Sequence, residues 1–171
     1  MMTVAVFWRP GALGWALALL LVSTAQGMAQ GVLTTHRVPA ALANEAVGEA
    51  VAHCAGQGYA VSAVLVDADG VRQAVLRGDH AGVHTLDSAY GKAYTSSSFN
   101  SDSGAIAERL LSNPAVANLG HLPGMLLVQG GVVIKLGDET VGAIGVAGAP
   151  GANLDEACAR AGLDKIKDRL K

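Results

Sequence analysis

Two histidines, His80 and His84, lie four residues apart in the stretch RGDHAGVHTLDSAYGKAYTS, and neutral imidazoles are good ligands for iron and other borderline metals. From Thr85 onward the apolar residues recur with a helical period, so Thr85 is a reasonable N-cap and both histidines precede the helix. They therefore do not form a one-face pair inside a helix, and the HExxH zinc motif is missing. By spacing alone, solvent-exposed histidines at a loop-to-helix junction are favoured over an iron or other metal site.

The common catalytic and cofactor motifs are missing from the chain. The sequence has no GxSxG nucleophile elbow, no GxxxxGK[ST] phosphate loop and no CxxC pair. The glycines of GAIGVAG, residues 142–148, suggest a dinucleotide-binding segment. A strand with small residues for close packing explains them better. The start of the last helix could hold an anion, yet Asp155 and Glu156 already lie there, so ordinary capping is favoured.

Residues 1–29 have the organisation of a secretory signal peptide. Arg9 supplies the positive charge, residues 12–22 form an uncharged apolar core, and Gly27-Met28-Ala29 fits a small-x-small cleavage site. The apolar run is short for a membrane span. We expect cleavage after Ala29 and export to the periplasm or the extracellular space. Loss of Arg9 reduces the 12 Lys and Arg residues to 11 against 14 Asp and Glu, a net charge of −3, which argues against nucleic-acid binding.

The two cysteines, Cys54 and Cys158, lie in helix-like segments near opposite ends of the predicted mature chain. An oxidising compartment permits a disulfide between them, which would close a loop of about 100 residues and contribute up to ~4–5 kcal/mol. Two small buried thiols that never meet are the alternative. The sequence leaves this choice open.

Periodicity and turn residues predict an α+β domain with a five-stranded, mainly antiparallel sheet packed against helices. Helices and hairpins follow one another without a βαβ repeat. The predicted order is a helix at 40–57, a hairpin at 59–78, a helix from Thr85, a helix at 102–111, strands beginning at GMLLVQ, VVIKLG and TVGAIGVAG, and a closing helix.

Three segments of the C-terminal half resemble segments of a known protein family. They are Gly130-Gly131-Val132-Val133-Ile134, the run from Val141 to Gly148, and the helix from Asp155 to Leu163. With the hairpin VLVDADGVRQAVLRGD and the helix HTLDSAYGKAYTSSSF, these resemble the GlcG/HbpS-like haem-binding family, also described as haem-degrading. The resemblance covers nearly all of 36–170 and defines a domain at 36–171. It implies a profilin-like α/β sandwich, oligomeric assembly, and a role in haem handling and oxidative stress.

The central helix departs from the family pattern. Tyr90-Gly91 stands where bulky or arginine-type residues are frequent, and Gly91 weakens a helix by up to ~1 kcal/mol. A basic pair that would meet haem propionates is reduced to Lys92 alone.

The resemblance and the histidines together suggest haem capture in an apolar groove near the central helix. His84 is the first-choice axial and metal ligand and His80 the second. The other cofactor-binding candidates neutralise the propionates or line the groove: Arg77, Lys92, Tyr90 and Tyr94. Peroxide-dependent haem degradation could follow from the cofactor's own chemistry, but family membership does not establish catalysis, and no catalytic residue is assigned.

Two other functions stay open at this stage. The protein could be a binding accessory for glycolate-type organic acids, with haem binding incidental. It could also be an extracytoplasmic partner of a sensor protein. Neither function leaves a motif in the sequence.

Overall fold

The computed structural model, which describes Gly31 and residues 33–171, contains four α-helices and one antiparallel sheet in the order β2-β1-β4-β3. The predicted signal peptide lies outside the described residues. In chain order the elements are α1 (Ala40–Gly56), β1 (Ser62–Asp67), β2 (Arg72–Arg77), α2 (His84–Phe99), α3 (Ser103–Leu111), β3 (Gly131–Leu136), β4 (Glu139–Ala147) and α4 (Ala152–Ile166), with 3-10 turns at Ala117–His121 and Lys167–Arg169. Among the helices of this described part, none is long and apolar enough to cross a membrane.

The sheet separates two apolar layers. Side chains alternate along β1, so Ala63 and Leu65 face the layer formed by α1 and α4, whereas Val64 and Val66 face α2. Helices therefore cover both faces of an antiparallel sheet, which confirms the predicted α+β sandwich.

The α2 layer is thin because small residues line it. Ala89 and Ala93 of α2 pack on the sheet, and a Cβ built at Gly145 would overlap the Ala89 carbonyl oxygen. The helix backbone thus lies directly on β4, which confirms that the glycines of residues 142–148 serve close packing in a strand.

The prediction of a fifth strand at GMLLVQ is wrong. This segment forms no ladder, because α2 and α3 satisfy its backbone groups with hydroxyl side chains. Leu126 N donates to Thr95 Oγ1 at 2.9 Å, and Ser103 Oγ donates to the Val128 carbonyl at 2.7 Å. The apolar run therefore lies over the helix rather than beside the sheet.

The N-cap of α2 lies two residues before the predicted one. His84, not Thr85, begins the helix, and Val83 occupies the N-cap position without a capping side chain. Thr85 is buried instead, where its hydroxyl lies 2.7 Å from Ser62 Oγ and donates to the Gly82 carbonyl. The hydroxyl that suggested a cap thus ties the helix to β1.

A disulfide joins Cys54 of α1 to Cys158 of α4, with Cα atoms 5.7 Å apart, and decides the question that the sequence leaves open. Both cysteines are fully buried among the residues of the larger core. The bond closes a loop between residues 104 positions apart.

We expect the Cys54→Ala/Cys158→Ala variant to lose about 3–5 kcal/mol of unfolding free energy, because long loops gain most from a cross-link. Urea unfolding followed by circular dichroism, with and without reductant, measures this. Reductant should destabilise the wild type and leave the double variant unchanged. Equal stability of the two proteins under oxidising conditions would contradict a stabilising disulfide.

Candidate functional site

An open groove of about 450 Å³ lies between the first half of α2 and the segment 124–126. Its volume is within the range of small-molecule pockets, about 300–1,000 Å³. One wall comes from the helix and β2, the other from the segment predicted as a strand. The lining residues are Arg72, Asp87, Ser88, Tyr90, Gly91, Gly124, Met125 and Leu126.

Arg72 places a fixed positive charge at this groove. Its guanidinium carbon lies 3.5 Å from the centroid of the Tyr90 ring, and Nη2 is 3.7 Å from Asp87 Oδ1. The carboxylate of Asp87 is highly exposed, so the ion pair contributes little stability. The cation–π contact orients the guanidinium, which keeps its remaining donors available to an anionic ligand.

Tyr94 supports the groove without lining it. The Tyr90 and Tyr94 ring centroids are 5.6 Å apart. A Cβ built at Gly70 would come 2.6 Å from Tyr94 Cδ2, and one at Gly124 would come 3.3 Å from Cε1. Both glycines have positive φ, so the tyrosine ring is wedged between the β1–β2 turn and the segment 124–126.

Gly91 has a packing role that the sequence does not reveal. A Cβ at Gly91 would lie 3.0 Å from Leu126 Cβ, so its absence lets the segment 124–126 approach the helix. Thr95 then fixes the segment, since its hydroxyl accepts from Leu126 N while donating to the Gly91 carbonyl at 2.8 Å. Gly91 lowers the helix propensity of α2, and its lack of a side chain shapes the groove.

The two histidines lie at the entrance to α2. His84 is exposed and precedes Asp87 and Ser88 by one helical turn, and Ser88 Oγ donates to its carbonyl at 3.0 Å. The His84 ring lies against Gly82, where a Cβ would come 2.6 Å from Cε1. His80 is exposed in the preceding loop and has a left-handed backbone, with φ of 63°. His84 does not line the groove, but it lies one turn before the groove residues Asp87 and Ser88 on α2.

The described residues contain no group of three or more His, Cys, Asp or Glu side chains that could hold a metal ion.

Lys92 lies away from the groove. Its side chain is buried, and Nζ donates to Asp155 Oδ2 at 2.7 Å and to the Val146 carbonyl at 3.0 Å. Asp155 Oδ1 in turn accepts from Ala149 N at 2.9 Å. The ammonium group is thus fully engaged inside the fold and not presented to a ligand at the surface.

Arg77 is exposed at the end of β2, outside the groove. It lines a separate hollow of about 280 Å³ together with residues that include Tyr59, Leu76 and Asp79. Of the six residues predicted to bind a cofactor, Tyr90 lines the groove, Tyr94 packs behind it, and His84 lies one helical turn before the groove residues of α2.

Sequence reasoning missed several groove residues. Asp87 and Ser88 follow His84 by three and four residues, so helical spacing alone could have indicated their shared face. Arg72 could not be found this way, because its place depends on how the hairpin packs against α2. Met125 and Leu126 are not identified as groove residues from the sequence, because their segment is incorrectly predicted as a strand.

The family model of the HbpS-like haem-degrading proteins matches residues 38–164. The chain belongs to this family. No curated protein sequence matches it significantly.

Solved structures agree with the family match. A crystal structure of HbpS is 37% identical with a TM-score of 0.74, over 79% of this chain and 93% of that chain. A double mutant of HbpS from Streptomyces reticuli is 32% identical with the same TM-score, over 96% of this chain and 97% of the other. A complex of PduOC with haem, 16% identical with a TM-score of 0.68 over 76% and 95%, shares the fold.

We expect Lys92→Met to lower the unfolding free energy by about 3–5 kcal/mol, because it leaves the buried Asp155 carboxylate without its counter-charge. Adding Asp155→Asn removes the stranded charge and keeps an acceptor for Ala149 N, so the double variant should recover about half of this loss or more. Chemical denaturation of the two variants measures both values. A loss under about 1 kcal/mol in Lys92→Met would contradict the role given to this pair.

Proposed function

We propose that the protein binds haem at the groove beside α2, with His84 as the axial ligand, and serves haem handling outside the cytoplasm. One observation carries the proposal: in an HbpS-like chain, a groove with an aromatic wall and an oriented arginine begins one helical turn after an exposed histidine of α2. The haem complex of PduOC, which has the same fold, gives independent support.

The groove residues fit the chemistry of haem. Tyr90, Met125 and Leu126 offer an aromatic and apolar surface for the porphyrin, whereas Arg72 offers a cation for a propionate. Arg72 thereby takes the role that the sequence suggests for Arg77 and Lys92.

The imidazole of His84 would hold the iron of a bound haem, since neutral imidazole is a good ligand for iron. His84 is the histidine nearest in sequence to the groove residues on α2, and His80 is the alternative from the preceding loop. Bound haem would supply redox chemistry, including peroxide-dependent ring opening, and the axial ligand would tune its potential. The protein's own residues bind and orient the cofactor.

The proposed location is the periplasm or the extracellular space. The signal-like residues 1–29 support it, and so does the buried disulfide, since such bonds persist in oxidising compartments. A role in oxidative-stress protection and assembly into oligomers stay predictions from the family resemblance, and a sensor-protein partner stays an alternative function.

Titration with ferric haem, followed by the Soret band, tests the proposal. The wild type should bind with a saturable shift and a defined stoichiometry. His84→Ala should weaken binding about tenfold or more and alter the spectrum, because the iron loses its protein ligand. Arg72→Gln should weaken binding by about three- to tenfold with the spectrum unchanged, because it removes only a charged contact.

His53→Ala is the matched control for these variants. His53 is also an exposed helical histidine, but it lies on α1 and its side chain contacts Gln57. This variant should bind haem like the wild type. If His84→Ala and Arg72→Gln also behave like the wild type, the haem site lies elsewhere. If the wild type gives no saturable response while glycolate raises its melting temperature, the organic-acid alternative replaces haem binding.

A further inference from the structure

The two edge strands of the sheet, β3 and β2, differ in whether their outward backbone groups are hydrogen-bonded. At the β3 edge, the alternation of an antiparallel ladder turns the N–H groups of Gly131 and Val133 away from β4. Ser103 Oγ accepts from Gly131 N at 2.9 Å, and Asp102 Oδ1 accepts from Val133 N at 3.0 Å. The start of α3 therefore caps this edge and closes it to a further strand.

The β2 edge has no such cap. Gly78 N donates to the Val61 carbonyl at 2.9 Å, so alternation along the ladder directs Leu76 toward β1 and turns the backbone groups of Val75 and Arg77 outward. Within the described part of the chain, no side chain or backbone group bonds to these outward N–H and C=O groups. The edge thus presents unpaired donors and acceptors to solvent.

On β2, two exposed apolar side chains lie between two positively charged ones. Val75 and Leu76 point to opposite faces of the sheet and are 48% and 39% exposed. Arg72 and Arg77 stand at the two ends of the strand, and both are exposed. An extended segment that added to this edge would cover apolar side chains on both faces and meet a positive charge at each end.

We propose that the β2 edge binds an extended acidic segment of a partner protein as a fifth strand of the sheet. Main-chain hydrogen bonds to Val75 and Arg77 would supply affinity, and carboxylates opposite the two arginines would supply selectivity. This surface shares Arg72 with the groove beside α2, whereas Val75, Leu76 and Arg77 do not line that groove.

The charges disfavour a second copy of this chain as the occupant. An antiparallel pair of β2 strands would bring Arg77 of one copy near Arg72 of the other at both ends of the contact. Like charges across neighbouring strands are destabilising. The same arginines that would oppose self-pairing therefore favour an acidic strand.

A capped synthetic peptide of alternating valine and threonine, with a pair of glutamates at each end, is the probe. Its fluorescence anisotropy and the amide shifts of the isotope-labelled protein report binding. Val75→Pro removes an N–H group that the β1–β2 ladder does not use, and proline is tolerated on edge strands, so the fold should survive. Val75→Thr keeps the N–H group and is the matched control.

We expect saturable binding to the wild type and to Val75→Thr, with the largest amide shifts in β2. Val75→Pro should bind about tenfold more weakly or worse. Arg77→Glu should also weaken binding and should prefer a peptide with lysines in place of the glutamates. Because Arg77→Glu leaves the backbone intact, it decides the proposal even if Val75→Pro does not fold.

Three results would overturn the proposal. The first is no saturable binding of the glutamate peptide to the wild type. The second is equal affinity for the glutamate and lysine peptides, or unchanged affinity in both Val75→Pro and Arg77→Glu. The third is self-association of the wild type that Val75→Pro abolishes, which would show that a second copy occupies this edge.

Discussion

A buried ion pair positions the helix on which the site depends. Lys92 Nζ lies in the interior and donates both to the Val146 carbonyl of β4 and to the Asp155 carboxylate of α4. It thereby joins α2, the sheet and the last helix at one point. A buried charge is costly unless it is fully paired and hydrogen-bonded, so this geometry tolerates little displacement of α2. Tyr90 lies two residues before Lys92 on the same helix, so the ion pair also fixes the position of Tyr90 in the groove.

The sequence of α2 has a low intrinsic helix propensity, but its small residues allow close packing. Gly91 and the hydroxyl run from Thr95 to Ser98 are weak helix formers. Tertiary contacts explain two of these residues, since Gly91 admits the segment 124–126 and Ser97 Oγ lies 3.0 Å from the carbonyl oxygens of both Asp67 and Ala68 at the β1–β2 turn. Packing of this helix rather than its propensity therefore creates the groove.

Local patterns in the sequence predict the helices and the first hairpin to within a few residues, because periodicity and turn chemistry determine them. The strand expected at GMLLVQ fails because apolar composition does not show that Thr95 and Ser103 bind its backbone. The family resemblance places Lys92 at a haem propionate, and nothing local reveals its distant partner Asp155. Arg72 was missed for the same reason: its contact with Tyr90 exists only after the hairpin packs against α2.

The most direct test of the central claim is a crystal structure of the protein with ferric haem bound. We expect a porphyrin against Tyr90 and Met125, with a propionate within hydrogen-bond distance of the Arg72 guanidinium and the imidazole of His84 on the iron. A porphyrin bound at a surface remote from α2, with neither Arg72 nor His84 in contact, would contradict it.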